Sequence, residues 1–295
     1  MVEFETLKDL IKLAKERKCK IGEIVWEYEA EVEGVSKEFV WDKMVKHWNV
    51  MKSSIENGLK ENFELPCKIA KRYAKKFLEG KKFFLDEFMS KVVARALAVS
   101  EYNSAMGLVC AAPTAGSSGV IPAVLYSAAE KLNANEKEVI LALFTASGIG
   151  LIIANKASIA GSEAGCQAEV GAAAAMAAGA LVELANGKPE QVDHAVAIAL
   201  KSIMGLICDP VAGLVISPCI KRNAFGAVLA FLAAEMALSE VESLIPADEV
   251  IEAMGNVGRL MHPDLKETAR GGIATTPTGE KIREKCSGKE VFKSK

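Results

Sequence analysis

Between positions 136 and 242 the chain is almost entirely small or apolar, and nowhere does it alternate long enough to call for a strand. The runs 139–154, 168–185, 192–206 and 224–238 are apolar on all sides. A helix of that kind belongs in the centre of a bundle, and alanine and glycine let neighbouring helix axes approach closely. The expected fold class is therefore all-α, a compact helical domain with central small-residue-rich helices. The 139–154 run contains Gly148 and Gly150 and falls short of the about 20 residues a spanning helix wants. It reads as a buried core helix, and no membrane association is expected.

Three cysteines punctuate this apolar region. Cys166 sits in the small-residue loop Ala160-Gly-Ser-Glu-Ala-Gly-Cys-Gln167, which opens onto the alanine-rich run. Cys208 and Cys219 bracket a short loop containing Pro210, Gly213 and Pro218. Proline stops a helix and glycine lets backbone pass close to a neighbour, so such loops can aim thiols without making them sequence neighbours. None of the three forms a CxxC pair, which removes zinc-finger and bacterial ferredoxin patterns. A single cysteine in an apolar chain is most often packing. Three in helix-terminal or proline-flanked loops are less comfortably explained so. Three thiolates would leave a 4Fe–4S cluster one iron short of full protein ligation, open to a substrate oxygen.

The stretch Cys110-Ala-Ala-Pro-Thr-Ala-Gly-Ser-Ser-Gly119 leads into a helix near Pro122, a permitted first-turn position for proline. Free amides at such a start can seat a carboxylate, and the stretch reads equally as an ordinary tight loop. It lacks the Gly-Lys-Ser/Thr ending of a nucleotide-binding P-loop.

The blocks Gly161-Ser-Glu-Ala-Gly-Cys-Gln-Ala-Glu-Val-Gly171, Cys208-Asp-Pro-Val-Ala-Gly213 with Ser217-Pro-Cys219, Ala112-Pro-Thr-Ala-Gly-Ser-Ser-Gly119 and Glu267-Thr-Ala-Arg-Gly-Gly272 resemble the α chain of iron–sulfur-dependent L-serine dehydratase. The resemblance runs from about residue 24 to 279. It implies a helical catalytic chain with an oxygen-sensitive 4Fe–4S cluster on Cys166, Cys208 and Cys219. It also implies an ammonia-lyase of amino-acid degradation and gluconeogenesis, which converts L-serine to pyruvate and ammonia, and a separate β subunit. Thr114, Gly116, Ser117 and Gly119 are then expected to line the seat of the substrate carboxylate, mostly through backbone N–H groups. Residues 64–72 depart from the family, whose members often carry a Ser/Thr/Gly-rich stretch there, and Cys67 in this segment is expected to be structural. The general base is not identified; His194 and His262 are candidates by type alone. A related cluster-dependent L-cysteine desulfidase and a non-catalytic helical subunit are the competing readings. No lysine-based pyridoxal phosphate signature is present.

Positions 3–60 read as amphipathic helices, with Leu7, Leu10, Ile11 and Ala14 at helical spacing and Ser36 as an N-cap for the third. Trp26, Trp41 and Trp48 are expected to anchor these helices to the body or to form a docking surface for a partner chain. His47 reads as a surface or half-buried histidine. The expected organisation is 1–60 N-terminal helices, 61–279 catalytic domain and 280–295 flexible tail. Asp248 is expected to cap the helix that follows it. On the tail, Cys286 could swing in as a temporary fourth iron ligand, although an ordinary tail cysteine is the simpler reading.

The chain carries a net charge of −2, which gives no argument for nucleic acid or an acidic membrane surface. Its seven cysteines, odd in number and irregularly spaced, suit reduced thiols in the cytoplasm rather than a disulfide framework. An oligomer is expected, with small-molecule amino acid as substrate.

Overall fold

A computed structural model describes residues 2–60 and 62–287. Among them the architecture is all-α: no strand forms, and one isolated bridge joins Cys208 to Lys266. The helices are α1 (Leu7–Arg17), α2 (Ile21–Glu33), α3 (Lys37–Lys60), α4 (Tyr73–Glu79), α5 (Glu87–Ser104), α6 (Val120–Leu132) and α7 (Glu136–Lys156). They continue as α8 (Gly161–Ala164), α9 (Ala172–Leu184), α10 (Pro189–Ser202), α11 (Cys219–Leu238), α12 (Ala247–Leu260) and α13 (Pro277–Ser287).

The axis of the molecule is α9. Every residue of Ala-Ala-Ala-Ala-Met-Ala-Ala-Gly-Ala-Leu-Val-Glu-Leu is buried, and α6, α7, α10 and α11 pack around it. Methyl-sized side chains permit close approach from several directions at once, which is what an all-round apolar helix needs. The helix α7 is the single described helix long and apolar enough to cross a membrane, and 72% of its apolar window is buried inside the fold.

The N-terminal helices share this core. Leu7, Leu10 and Ala14 of α1 and Ile21, Ile24 and Val25 of α2 are buried in the same cluster as α7 and α9. Trp26 and Trp41 lie 4.9 Å apart between ring centroids, both beside Phe144 of α7, and Trp48 lies beside Tyr126 of α6. All three rings thus face inward. Ser36 caps α3 by accepting from the Phe39 amide.

Buried carboxylates join distant helices. Glu183, near the end of α9, accepts from the amides of Ile21 (2.8 Å) and Gly22 (3.2 Å) and from the Thr145 hydroxyl (2.6 Å). It caps the start of α2 from across the bundle. Asp248 does not cap its own helix: its carboxylate accepts from the Leu7 and Lys8 amides at the start of α1 (2.8 and 3.1 Å). Asp193 of α10 instead receives the Ala247 amide at the start of α12 (3.1 Å). In a compact bundle a neighbouring carboxylate can reach orphan amides as readily as a local one.

The end of the chain also differs from expectation. Residues 277–287 form α13, which packs against the 3₁₀ turns at Val211–Gly213 and Gly272–Thr275. Cys286 is buried within that helix rather than carried on a loose tail. The rest of the expected tail, 288–295, lies outside the described residues.

Candidate metal centre

Cys166, Cys208 and Cys219 are buried and line one cavity of about 280 Å3. Glu169, residues 114–116 and Glu267 share its wall with Val170, Pro210, Gly213 and Val215. Each thiol is placed by a different device. Ahead of α9 the chain makes one turn of π-helix, Gln167–Gly171, directly after Cys166. The buried Gln167 side chain staples this turn, accepting from Gly205 N (2.8 Å) and donating to Met254 O (3.2 Å). π-turns inside helices recur at functional sites; this one turns Glu169 toward the thiols. Cys208 exchanges backbone hydrogen bonds with the 265–267 segment, donating to Leu265 O (2.8 Å) and accepting from Glu267 N (2.9 Å). Cys219 opens α11.

Cys166 Sγ, Cys208 Sγ and a Glu169 carboxylate oxygen lie within 4.8 Å of one another, a grouping that could hold a metal ion. Glycine leaves room for the carboxylate: a Cβ on Gly161 would stand 2.6 Å from Glu169 Oε2 and 3.3 Å from Cys208 Sγ, and one on Gly116 would stand 3.1 Å from Glu169 Oε1. Thr114 Oγ1 donates to Glu169 Oε1 (2.8 Å) and fixes its plane.

Electrostatics favour a thiolate at Cys166. The hydrogen bond with Cys208 and the nearby Arg222 guanidinium hold its thiol below the usual cysteine range despite burial. Cys208 moves up, as the proton-bearing partner of that bond and through burial. Cys219 is pushed up to about 12 by burial and by the charges of Cys166 and Glu169. Burial and the neighbouring Glu267 charge raise Glu169, opposed by the Thr114 hydrogen bond. A bound cation would reverse the penalty on the thiolates.

Residues unannounced by the sequence hold this arrangement. Arg222 reaches back from α11 to Cys166 Sγ (3.4 Å), Ile207 O (2.9 Å) and Asp209 Oδ1 (2.9 Å), and Asp209 Oδ2 receives the Ile273 amide (2.9 Å). The fully buried Asn223 donates to Gly116 O (2.7 Å) and Cys219 O (3.0 Å) and accepts from Gly119 N (2.9 Å). It clasps the 114–119 loop to the helix that starts at Cys219.

That clasp divides the expected substrate residues. Thr114 and Gly116 face the cavity. Ser117 and Gly119 do not line it: Ser117 is wholly buried, with its amide bonded to Thr114 O, and the Gly119 amide is taken by Asn223. Both belong to the support of the loop. His194 and His262 also lie outside the cavity wall; their Nδ1 atoms accept from Ser243 N and Asp264 N. His47 is exposed, and Cys67 is half-buried away from the cavity. The departing 64–72 stretch is anchored at its end by an ion pair of Arg72 with the buried Glu101.

Residues 16–274 match the family model of the serine dehydratase alpha chain. The chain belongs to that family. A probable L-serine dehydratase α chain of Bacillus subtilis is 44% identical over 288 residues, spanning 97% of this chain and 96% of that protein. The L-serine dehydratase α chain of Peptoniphilus asaccharolyticus is 43% identical over 281 residues, 94% of this chain and 96% of that one. The L-serine dehydratase of Streptomyces coelicolor is 39% identical across 92% of this chain but only 60% of its own length. In the serine dehydratase α-chain fold described here, the family blocks around Cys166, Cys208, Cys219 and Thr114 are the walls of a single cavity.

Proposed function

We propose that this chain is the cluster-carrying α subunit of an L-serine dehydratase, which converts L-serine to pyruvate and ammonia. The observation that carries this reading is the convergence of three buried thiols, the Glu169 carboxylate and the Thr114 loop on one cavity. Three soft sulfur donors fit an iron–sulfur centre and suit no magnesium or calcium site. Cys166, Cys208 and Cys219 would hold a 4Fe–4S cluster, which would supply a Lewis acid for the serine hydroxyl.

The chain's own residues do the rest. Thr114 and Gly116 seat the substrate carboxylate on the loop held by Asn223. Glu169, its Oε1 fixed by Thr114, takes the Cα proton on Oε2. The Cα–H pair becomes the Cα=Cβ bond, the Cβ–O bond breaks, and the abstracted proton leaves with the hydroxyl as water. The aminoacrylate that remains tautomerises and hydrolyses to pyruvate and ammonia. Glu267, on the segment that pins Cys208, borders the same cavity.

In this reading a separate β subunit completes the enzyme; the α-chain names of two relatives imply such a companion in their organisms. Seven irregularly spaced cysteines, none of the described ones in a disulfide, support a cytoplasmic setting for the enzyme. The test is an iron and sulfide count on anaerobically purified variants. Cys166→Ala, Cys208→Ala and Cys219→Ala should each lose the cluster, whereas Cys19→Ala, Cys67→Ala and Cys110→Ala keep it. A full cluster after loss of any one of the first three, or pyruvate released faster from cysteine than from serine, would overturn the assignment.

A further inference from the structure

L-Serine brings four groups to the cavity, and the proposed function gives places to three of them. The loop at Thr114 and Gly116 takes the carboxylate, the cluster takes the hydroxyl, and Glu169 takes the Cα proton. The α-ammonium group is left. It is a full positive charge, and a charge entering a partly buried cavity needs an opposite charge or hydrogen-bond acceptors there. The wall leaves little choice. No lysine, arginine or histidine lines it among the described residues, and Ala115, Val170, Pro210, Gly213 and Val215 carry no side-chain acceptor. Thr114 already donates to Glu169, and the three thiols are the cluster ligands of the same reading. The remaining side chain is Glu267.

Glu267 is built into this wall. Its amide donates to Cys208 O (2.9 Å), directly after the bond from Cys208 N to Leu265 O (2.8 Å), so its backbone is fixed to that of a thiol. Its φ is +62°, in the left-handed region that suits glycine or asparagine better than glutamate. Outliers of this kind gather at ligand sites. The side chain is exposed, so an entering ligand can reach it. No hydrogen bond or ion pair engages its carboxylate among the described residues. The nearby Arg270 guanidinium is held by Asp264 (3.0 Å), and Arg222 by Asp209 (2.9 Å). The charge of Glu267 is nevertheless felt at Glu169, which it raises. Two carboxylates around one small space repel each other unless a cation comes between them.

We infer that Glu267 holds the α-ammonium group of the substrate, and that this contact makes the cavity select amino acids over carboxylic acids that lack the amine. The inference deepens the dehydratase reading and rests on it for the places of the other three groups. A carboxylate beside the amine also keeps it protonated. A protonated amine withdraws electrons from Cα and makes the proton that Glu169 removes more acidic.

L-Alanine and propionate test the inference, because they differ only in the amine and neither has a hydroxyl to eliminate. Titrated calorimetrically into the anaerobically purified enzyme, L-alanine should bind about 10–100-fold more tightly than propionate, the worth of one charge-assisted hydrogen bond. In Glu267→Gln that gap should close, with iron content unchanged and propionate bound no more weakly than in wild type. A merely loosened cavity would instead weaken both ligands alike. KM for serine should rise about tenfold or more in the same variant, and Glu267→Asp should recover part of the preference. No preference in wild type, or a preference that survives Glu267→Gln, would overturn the inference. Iron lost from Glu267→Gln would also overturn it, by giving the carboxylate to the cluster. Pyruvate release from serine tests the reaction separately. An enzyme that prefers L-alanine through Glu267 but releases no pyruvate would sink the dehydratase reading and leave the ammonium seat standing.

Discussion

Asn223 links the 114–119 loop to the helix that starts at Cys219, and replacing it measures how much of the cavity depends on that link. Asn223→Ala removes its bonds to Gly119 N, Gly116 O and Cys219 O. The Gly119 amide is buried and would be left without an acceptor, which costs about 1–3 kcal/mol. Gly116 borders the cavity, so water can take over at its carbonyl, and Cys219 O keeps its helical donor. The space vacated by the amide adds about 1 kcal/mol. The sum is about 3 kcal/mol of stability, read by anaerobic urea unfolding. The iron count should stay near that of wild type, since no thiol moves off its element, while KM for serine rises about tenfold as Thr114 and Gly116 lose their fixed position. Asn223→Asp keeps the acceptor for Gly119 but turns a carboxylate toward two carbonyls, and should be less stable than Asn223→Ala. A loss below about 0.5 kcal/mol with unchanged KM in Asn223→Ala would refute the clasp.

Glu169→Gln should lower kcat by about 10²–10⁴ with iron content retained and KM within about threefold; near-normal turnover would remove Glu169 as the proton acceptor. Gly116→Val should raise KM for serine more than Thr114→Ser does, because its first added carbon already stands 3.1 Å from Glu169 Oε1; equal kinetics in a cluster-loaded Gly116→Val protein would contradict this. Burial raises the Glu183 carboxyl, outweighing its hydrogen bonds from Thr145 and the α2 amides. A raised acid favours its protonated form in the fold, so its contribution is full below the unfolded value of about 4.3 and falls as pH climbs through the folded value. The Tm gap between wild type and Glu183→Gln should therefore shift against wild type as pH rises above about 4; a pH-independent gap would show that Glu183 is not raised.

The helical class was legible because the 168–185 run offers no polar face on which to lie at a surface. The three thiols were legible through their loops and the family blocks around them. Glu169 was not, although a signal was there: a lone carboxylate in Ala168-Glu-Val-Gly-Ala is almost never buried without a partner, and its partners Thr114 and Cys208 lie 55 and 39 residues away. Glu183 carried the same signal in Leu-Val-Glu-Leu184. The turn that aims Glu169 was invisible, since a π-turn has the composition of the α-helix it interrupts. That Ser117 and Gly119 fall outside the cavity wall was not legible, because a loop's composition does not say which of its amides face outward. That choice is made by Asn223, 104 residues from Gly119. The helical end of the chain was missed because charge composition alone does not exclude an amphipathic helix with a buried seam.

The clamp on Cys208 has a consequence for biosynthesis. All three cysteines leave the ribosome by residue 219, but the 265–267 segment that pins Cys208, the Ile273 amide that receives Asp209, and α13 behind the Val211–Gly213 turn are made last. A nascent chain therefore displays its thiols on a half-built wall, open on the side where Leu265 will later dock. In the proposed function, iron would find the thiols most open during that interval, before the 265–273 segment docks.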